Sequence, residues 1–293
     1  HFWDQGMAKI NWTAILPRYM ILVDRVNTRS EFSDLVWEVQ GELGTSHAYD
    51  IGGDYKPAPH YGIGLLGADF SFDAANTGYR IDHLVKGDTW RQDEGAPLMQ
   101  PGVQVAVGDI LLSINGEKLS ATTTPAQLLM NRAGDEVELV VRGSVDPTPR
   151  RIRVKSIKNE LPARYRDWVE KNRSYVEKMS RGQVGYLHIP DMGARGFSEF
   201  HRSFLAEYDR DALIVDVRFN GGGHVSQLLL EKLARPRLGV QSSRWFGNFP
   251  EPAESPAGVV VALTNEYAGS DGDIFSHTFK MRKVGPLIGK RTW

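Results

Sequence analysis

The second half of the chain alternates apolar strand-like runs with stretches of helical spacing, and this pattern restricts the fold more than any other feature. "VGYLHIP" (184–190), "ALIVDVRF" (212–219) and "GVVVALT" (258–264) are separated by "GFSEFHRSFLAEYD" and "VSQLLLEKLAR", preceded by "ARYRDWVEKNRSYVEKMSRG" and followed by "DIFSHTFKMRKVG". Continuous apolar strands alternating with helices imply parallel crossover units, hence an α/β layer. Ligands of such layers bind just beyond the carboxyl ends of the strands. Two stretches sit there: "NGGGH" (220–224) and "NEYAGSDGD" (265–273).

The first half has a different texture. In "NTRSEFSDLVWEVQGELG" the residues Phe32, Leu35, Val36, Val39 and Leu43 recur at helical spacing, with Thr28 and Glu31 placed as a capping box. The helix is expected to end near Gly44. "TSHAYDIGGDYKPAPHYG" then reads as a loop, and from Tyr61 short alternating strands follow with turn residues between them. One short helix is expected at "TPAQLLMNRAG", and an Asn-Gly turn at residues 115–116.

Composition removes several function classes. Lys plus Arg total 35 against 36 Asp plus Glu, so a formal charge of −1 provides no field that would gather nucleic acid or an anionic membrane surface. There is no cysteine, which excludes disulfides, thiolate metal sites and cysteine nucleophiles. No apolar run approaches the roughly 18 residues of a membrane-spanning helix, and the N-terminus lacks the shape of a signal peptide. No cofactor or metal is expected. The glycines 221–223 are not followed by Gly-Lys-Ser/Thr, so a phosphate loop is disfavoured.

Ser270 falls where a strand gives way to a helix, at a first turn whose amides lack intrahelical partners. An oxyanion formed there would be stabilised by the amide of Asp271 and by one amide from Gly221, Gly222 or Gly223, where no side chain obstructs approach. A serine needs an adjacent base. Among the eight histidines, His188 lies in a strand, His201 and His277 in helices, and His60 and His83 at or within the β module. His47, in its loop beside Ser46, and His224, beside the glycines, remain candidates on position alone.

Two resemblances extend this reading. "GVQVAVGDILLSINGEKLSATTTPAQLLMNRAGDEVELVV" resembles a PDZ domain, and "YGIGLLG" would be its glycine loop, with Gly62, Ile63, Gly64 and Leu65 offering amides to a peptide carboxylate beside an edge open to strand addition. "GELGTSHAYD", "DVRFNGGG" with "SQLLLEKL", and "TNEYAGSDGDIFS" followed by "LIGKRTW" together resemble the catalytic core of the tricorn proteases, where a PDZ domain lies between two core segments.

The resemblance implies a core segment over 1–58, a PDZ domain over 59–158 and an α/β catalytic segment over 159–293, in a fold related to the carboxyl-terminal processing peptidases. It implies Ser270 as nucleophile, His47 as its base and Ser46 as the group orienting the histidine. It implies peptide substrates, a homohexamer and a cytoplasmic location. The family completes its tetrad with a glutamate downstream of the "GKRTW" motif, whereas this sequence stops at Trp293; unless Glu42, Asp50 or Asp273 substitutes, this chain is expected to be feeble by itself. The family's basic preference rests on an acidic residue in a stretch that here, "ARPRLGVQSSRWFGN", has none. The rival expectation is a peptide-binding PDZ protein with an inactive core.

Overall fold

Helical spacing, strand alternation and turn chemistry in the sequence all find their elements in the computed structural model, which describes residues 2–56, 58–88, 91 and 94–293. The chain divides into two units, 1–61 and 62–293.

The first unit contains α1 (Trp12–Val23) and α2 (Arg29–Gly41). The expected capping box is present: Thr28 Oγ1 accepts from the Glu31 amide at 3.2 Å and Glu31 Oε2 accepts from the Thr28 amide at 3.1 Å. The helix gives out at Gly41, slightly before the expected end. Helix α1 was not apparent from spacing, because its apolar residues form no single stripe and Pro17 stands inside it.

The second unit begins with a sheet of β1 (Ala68–Asp73), β2 (Gly78–Leu84), β3 (Ile110–Ile114), β4 (Glu117–Lys118), β5 (Glu136–Arg142) and β6 (Pro149–Lys155). Its order is β1-β2-β3-β5-β6, with β4 paired to β3 and all pairs antiparallel. Asn115 and Gly116, at φ 50° and 85°, make the turn from β3 into β4. Helix α3 is only Pro125–Leu128, capped by Thr124, and the left-handed Asn131 stops it from running on. Leu111, Ile114, Leu139 and Val141 fill the core of this module.

The α/β layer follows: α4 (Leu161–Ser180), β7 (Val184–His188), α5 (Ala194–Glu207), β8 (Ala212–Asp216), α6 (Ser226–Leu233), a hairpin of β9 (Gly239–Ser243) and β10 (Gly247–Glu251), then β11 (Val259–Thr264), α7 (Asp271–Met281) and β12 (Leu287–Gly289). The sheet runs β12-β11-β8-β7 and is parallel throughout. Phe200 and Phe204 of α5, Leu229 and Leu230 of α6, and Phe275 and Phe279 of α7 close over Leu187, Val215 and Ala262. Removing any of these phenylalanines would cost about 3–5 kcal/mol. This rigid layer fixes the two loops that leave β8 and β11.

Candidate active site

Ser270 caps α7 with φ 53° and ψ −125°, a backbone region that residues bearing a Cβ seldom occupy. Such a conformation costs about 1–3 kcal/mol and persists only where its surroundings over-determine it. Here the surroundings are polar clamps. The buried Asp271 carboxylate accepts from the Ser226 amide at 3.0 Å and from Ser226 Oγ at 2.5 Å, joining the starts of α6 and α7. The amide of Gly269 donates to the Asn220 carbonyl at 3.1 Å. Gly272 lies so close to Asn220 that a Cβ there would meet its Oδ1 at 2.7 Å. Ser270 itself is exposed.

Asn220, wholly buried, also shapes the glycine loop. Its Nδ2 donates to the Ile189 carbonyl at 2.8 Å and its Oδ1 accepts from the Gly222 amide at 2.9 Å. The Gly221 amide donates to the Pro190 carbonyl at 3.3 Å. Of the three glycine amides only that of Gly223 has no acceptor among the described residues, and the amide of Asp271 has none either. Gly222, at φ 86°, faces the serine: a Cβ on it would stand 2.5 Å from Ser270 Cβ and 3.0 Å from Ser270 Oγ. The loop and the serine are therefore in contact, with two uncommitted N–H donors beside them.

A cleft of about 650 Å³ opens at this point, lined by Gly223, His224, Gln227, Leu230, Ser270 and Ile274 among others. The carboxylate in its wall, that of Asp271, is engaged by Ser226. His224 is exposed and lines this cleft together with Ser270, and its amide donates to the Met192 carbonyl at 2.6 Å.

His47 belongs to the first unit. It too has a left-handed backbone, φ 66°, and its Nδ1 lies 2.8 Å from Ser46 Oγ. Both residues are exposed, and the ring of Tyr49 meets that of His47 edge-on at 6.1 Å. Three carboxylates were candidates to orient this ring, and each is engaged elsewhere. Glu42 accepts from Arg18 and from the Tyr19 hydroxyl at 2.8 Å. Asp50 accepts from Ser33 and pairs with Arg29 at 3.5 Å, and the Ser33 hydrogen bond together with Arg29 holds its carboxyl below the usual range. Asp273 accepts from Thr292 Oγ1 at 2.5 Å.

Below the glycine loop lies a buried polar chain that sequence reading missed. His188 Nε2–H donates to the Arg218 carbonyl at 2.8 Å, and the Tyr165 hydroxyl donates to Nδ1 at 3.0 Å. Burial holds the imidazole below the ordinary histidine range, consistent with a neutral ring in that tautomer. Arg218 in turn pairs with the buried Asp216 at 2.6 Å.

The expected carboxylate loop of the PDZ-like sheet requires correction at two of its four positions. The Gly64 amide donates to the Leu129 carbonyl at 2.8 Å, and Leu65 exchanges hydrogen bonds with Ile157 at 2.9 Å. The end of α3 occupies the Gly64 donor and the segment after β6 the Leu65 donor, so that of these four amides those of Gly62 and Ile63 have no acceptor among the described residues.

Comparison with known proteins is consistent with this geometry. Three family models match: the tricorn protease C1 domain over residues 1–41, the tricorn protease PDZ domain over 64–159 and peptidase family S41 over 183–293. A tricorn protease homolog of Saccharolobus solfataricus is 47% identical over the whole of this chain, which covers 27% of that protein. The crystal structure of the tricorn protease superposes with a TM-score of 0.92 at 39% identity, covering all of this chain and 28% of that one. The chain matches the catalytic core of the tricorn proteases along its whole length. The tricorn protease of Thermoplasma acidophilum is likewise 39% identical over this entire chain. The chain spans about a quarter to a third of the length of the tricorn relatives it matches, 34% of one and 27% of another.

The structure sets Ser270 against Gly222 and places Ser46 within hydrogen-bonding distance of His47. Sequence reading missed the residues that hold the loops after β8 and β11, namely Asn220, Ser226 and His188. An Asn abutting three glycines in "RFNGGG" was the available signal, since a short amide side chain can hydrogen-bond the backbone just beyond it.

Proposed function

We propose that this chain is the catalytic part of a tricorn-type serine peptidase that trims oligopeptides released by larger proteases. Ser270 Oγ attacks the scissile carbonyl carbon while His47 Nε2 takes the hydroxyl proton. With Nδ1–H donating to Ser46 Oγ, Nε2 carries the lone pair this step needs. The amides of Gly223 and Asp271 stabilise the oxyanion. Collapse of the tetrahedral species breaks the C–N bond, the leaving amine receives the proton from His47, and the acyl ester on Ser270 forms. Water, deprotonated by the same histidine, then hydrolyses the ester and restores the serine. The observation that carries this reading is the left-handed Ser270 at a helix start, abutting Gly222 beside two uncommitted amides.

The rival reading, a peptide-binding PDZ protein with an inactive core, is disfavoured by the internal engagement of the Gly64 and Leu65 amides. Among the described residues no helix is long and apolar enough to cross a membrane. A cytoplasmic location and a homohexameric assembly follow from the resemblance, and sedimentation of the purified protein would measure the latter. The full-length protein should cleave short peptides, and Ser270→Ala should abolish turnover while leaving the circular dichroism spectrum unchanged. Cleavage by the alanine variant at the parent rate would contradict the assignment.

A further inference from the structure

Two aromatic rings face outwards from the loops that carry the catalytic groups. Phe219 precedes the glycine loop and is 55% exposed; Tyr267 precedes Ser270 by three residues and is 65% exposed. Their rings stack, with centroids 5.5 Å apart and planes 17° apart. Trp168 of α4 supports Phe219 edge-on at 6.1 Å, and the Arg218 guanidinium lies 5.3 Å from the Trp168 ring.

The fold maintains this pair at a cost. Phe219 has φ 64°, a conformation in which a bulky side chain is an outlier, yet its ring is more than half in water and contributes little to the core. One side chain sets both loops: Asn265 Oδ1 accepts from the Phe219 amide at 3.0 Å and from the Tyr267 amide at 3.2 Å. Strain of this kind concentrates where a ligand is held. The rings stand at the carboxyl ends of β8 and β11, and none of the shelf residues lines the cleft that contains His224 and Gln227.

We propose that Phe219 and Tyr267 form a substrate subsite, receiving an apolar and preferentially aromatic side chain of the peptide whose scissile carbonyl lies at Ser270. The occupant is the substrate itself, because the shelf is continuous in sequence with both catalytic loops. This inference rests on the peptidase reading. Covering the stacked rings removes apolar surface from water and adds an aromatic contact, together expected to favour Phe over Ala by about tenfold to a hundredfold.

The test uses the full-length protein with Ser270→Ala and fluorescein-labelled hexapeptides in which a single Phe or Ala is moved along an otherwise constant sequence, read by anisotropy. At one position the Phe peptide should bind at least about tenfold more tightly. That preference should vanish on adding Phe219→Gly, which suits the left-handed backbone and so preserves folding, and should persist with Phe219→Tyr. In the enzyme with its serine intact, the kcat/KM ratio of the Phe to the Ala substrate should fall by the same factor in Phe219→Gly. Equal binding of Phe and Ala peptides at every position, or a preference that survives Phe219→Gly, would overturn the subsite. If the binding preference held while the serine-containing protein cleaved no peptide, the peptidase reading would fall and the shelf would stand as a peptide-binding site.

Discussion

Ser270, His47 and Phe219 are non-glycine residues with left-handed backbones, at φ 53°, 66° and 64°. At Ser270 the strain is held by neighbours whose tolerances differ, and this gives a graded prediction for the three glycines. A Cβ on Gly221 meets nothing within 4 Å, whereas one on Gly222 would stand 2.5 Å from Ser270 Cβ and one on Gly223 would stand 2.0 Å from the Met192 carbonyl oxygen. Gly221→Ala should therefore keep turnover within about threefold of the parent. Gly222→Ala and Gly223→Ala should lower it by about 10²–10³-fold, the usual consequence of losing or displacing an oxyanion donor. Steady-state kinetics on one peptide decides the matter; equal effects at all three positions would return the run to a plain turn.

At the scale of elements, the carboxyl ends of β7 and β8 are pinned by a neutral histidine. Burial lowers the His188 pKa in the folded chain, so the folded protein resists a proton that the unfolded chain accepts near pH 6.5. The sign follows: the stability contributed by neutral His188 is present above about pH 6.5 and is lost as pH falls below it. The nearby Asp216 carboxylate opposes the shift, and burial outweighs it. Denaturant midpoints measured from pH 7.5 to 5.5 should fall in the parent and fall less in His188→Gln; parallel slopes would mean the histidine is not buried neutral. The apolar runs of β8 and β11 and the glycines after β8 were legible because periodicity and turn chemistry are local. The His188 to Arg218 contact, the bond from Asn220 to Ile189 and that from Asn265 to Phe219 join residues 30 or more positions apart, for which no spacing rule exists. Helix α3 was legible in "TPAQLLMNRAG" and overestimated in length, since it ends at Leu128, three residues before the left-handed Asn131.

At the scale of the whole second unit, the PDZ-like sheet and the α/β layer are joined by buried charge. Arg166 of α4 pairs with Glu199 of α5 at 2.6 Å and lies 3.7 Å from Asp88 and 3.9 Å from Glu94, both from the PDZ-like segment, while Arg202 reaches Asp88 at 2.6 Å. Removing the central guanidinium would leave buried carboxylates short of a counter-charge, at a cost of about 3–5 kcal/mol. Arg166→Leu should therefore lower the denaturant midpoint strongly and separate a single unfolding transition into two, read by fluorescence and circular dichroism; one unshifted transition would show that the cluster does not couple the two parts.

The claim on which the rest depends is that Ser270 is an activated nucleophile, and covalent labelling tests it most directly. The full-length protein containing this chain would be treated with a fluorophosphonate and the adduct located by peptide mass mapping. A single adduct is expected on Ser270, absent from Ser270→Ala and formed far more slowly in His47→Ala, with His224→Ala labelled at the parent rate. An adduct on any other serine, or one that persists in Ser270→Ala, would contradict the claim.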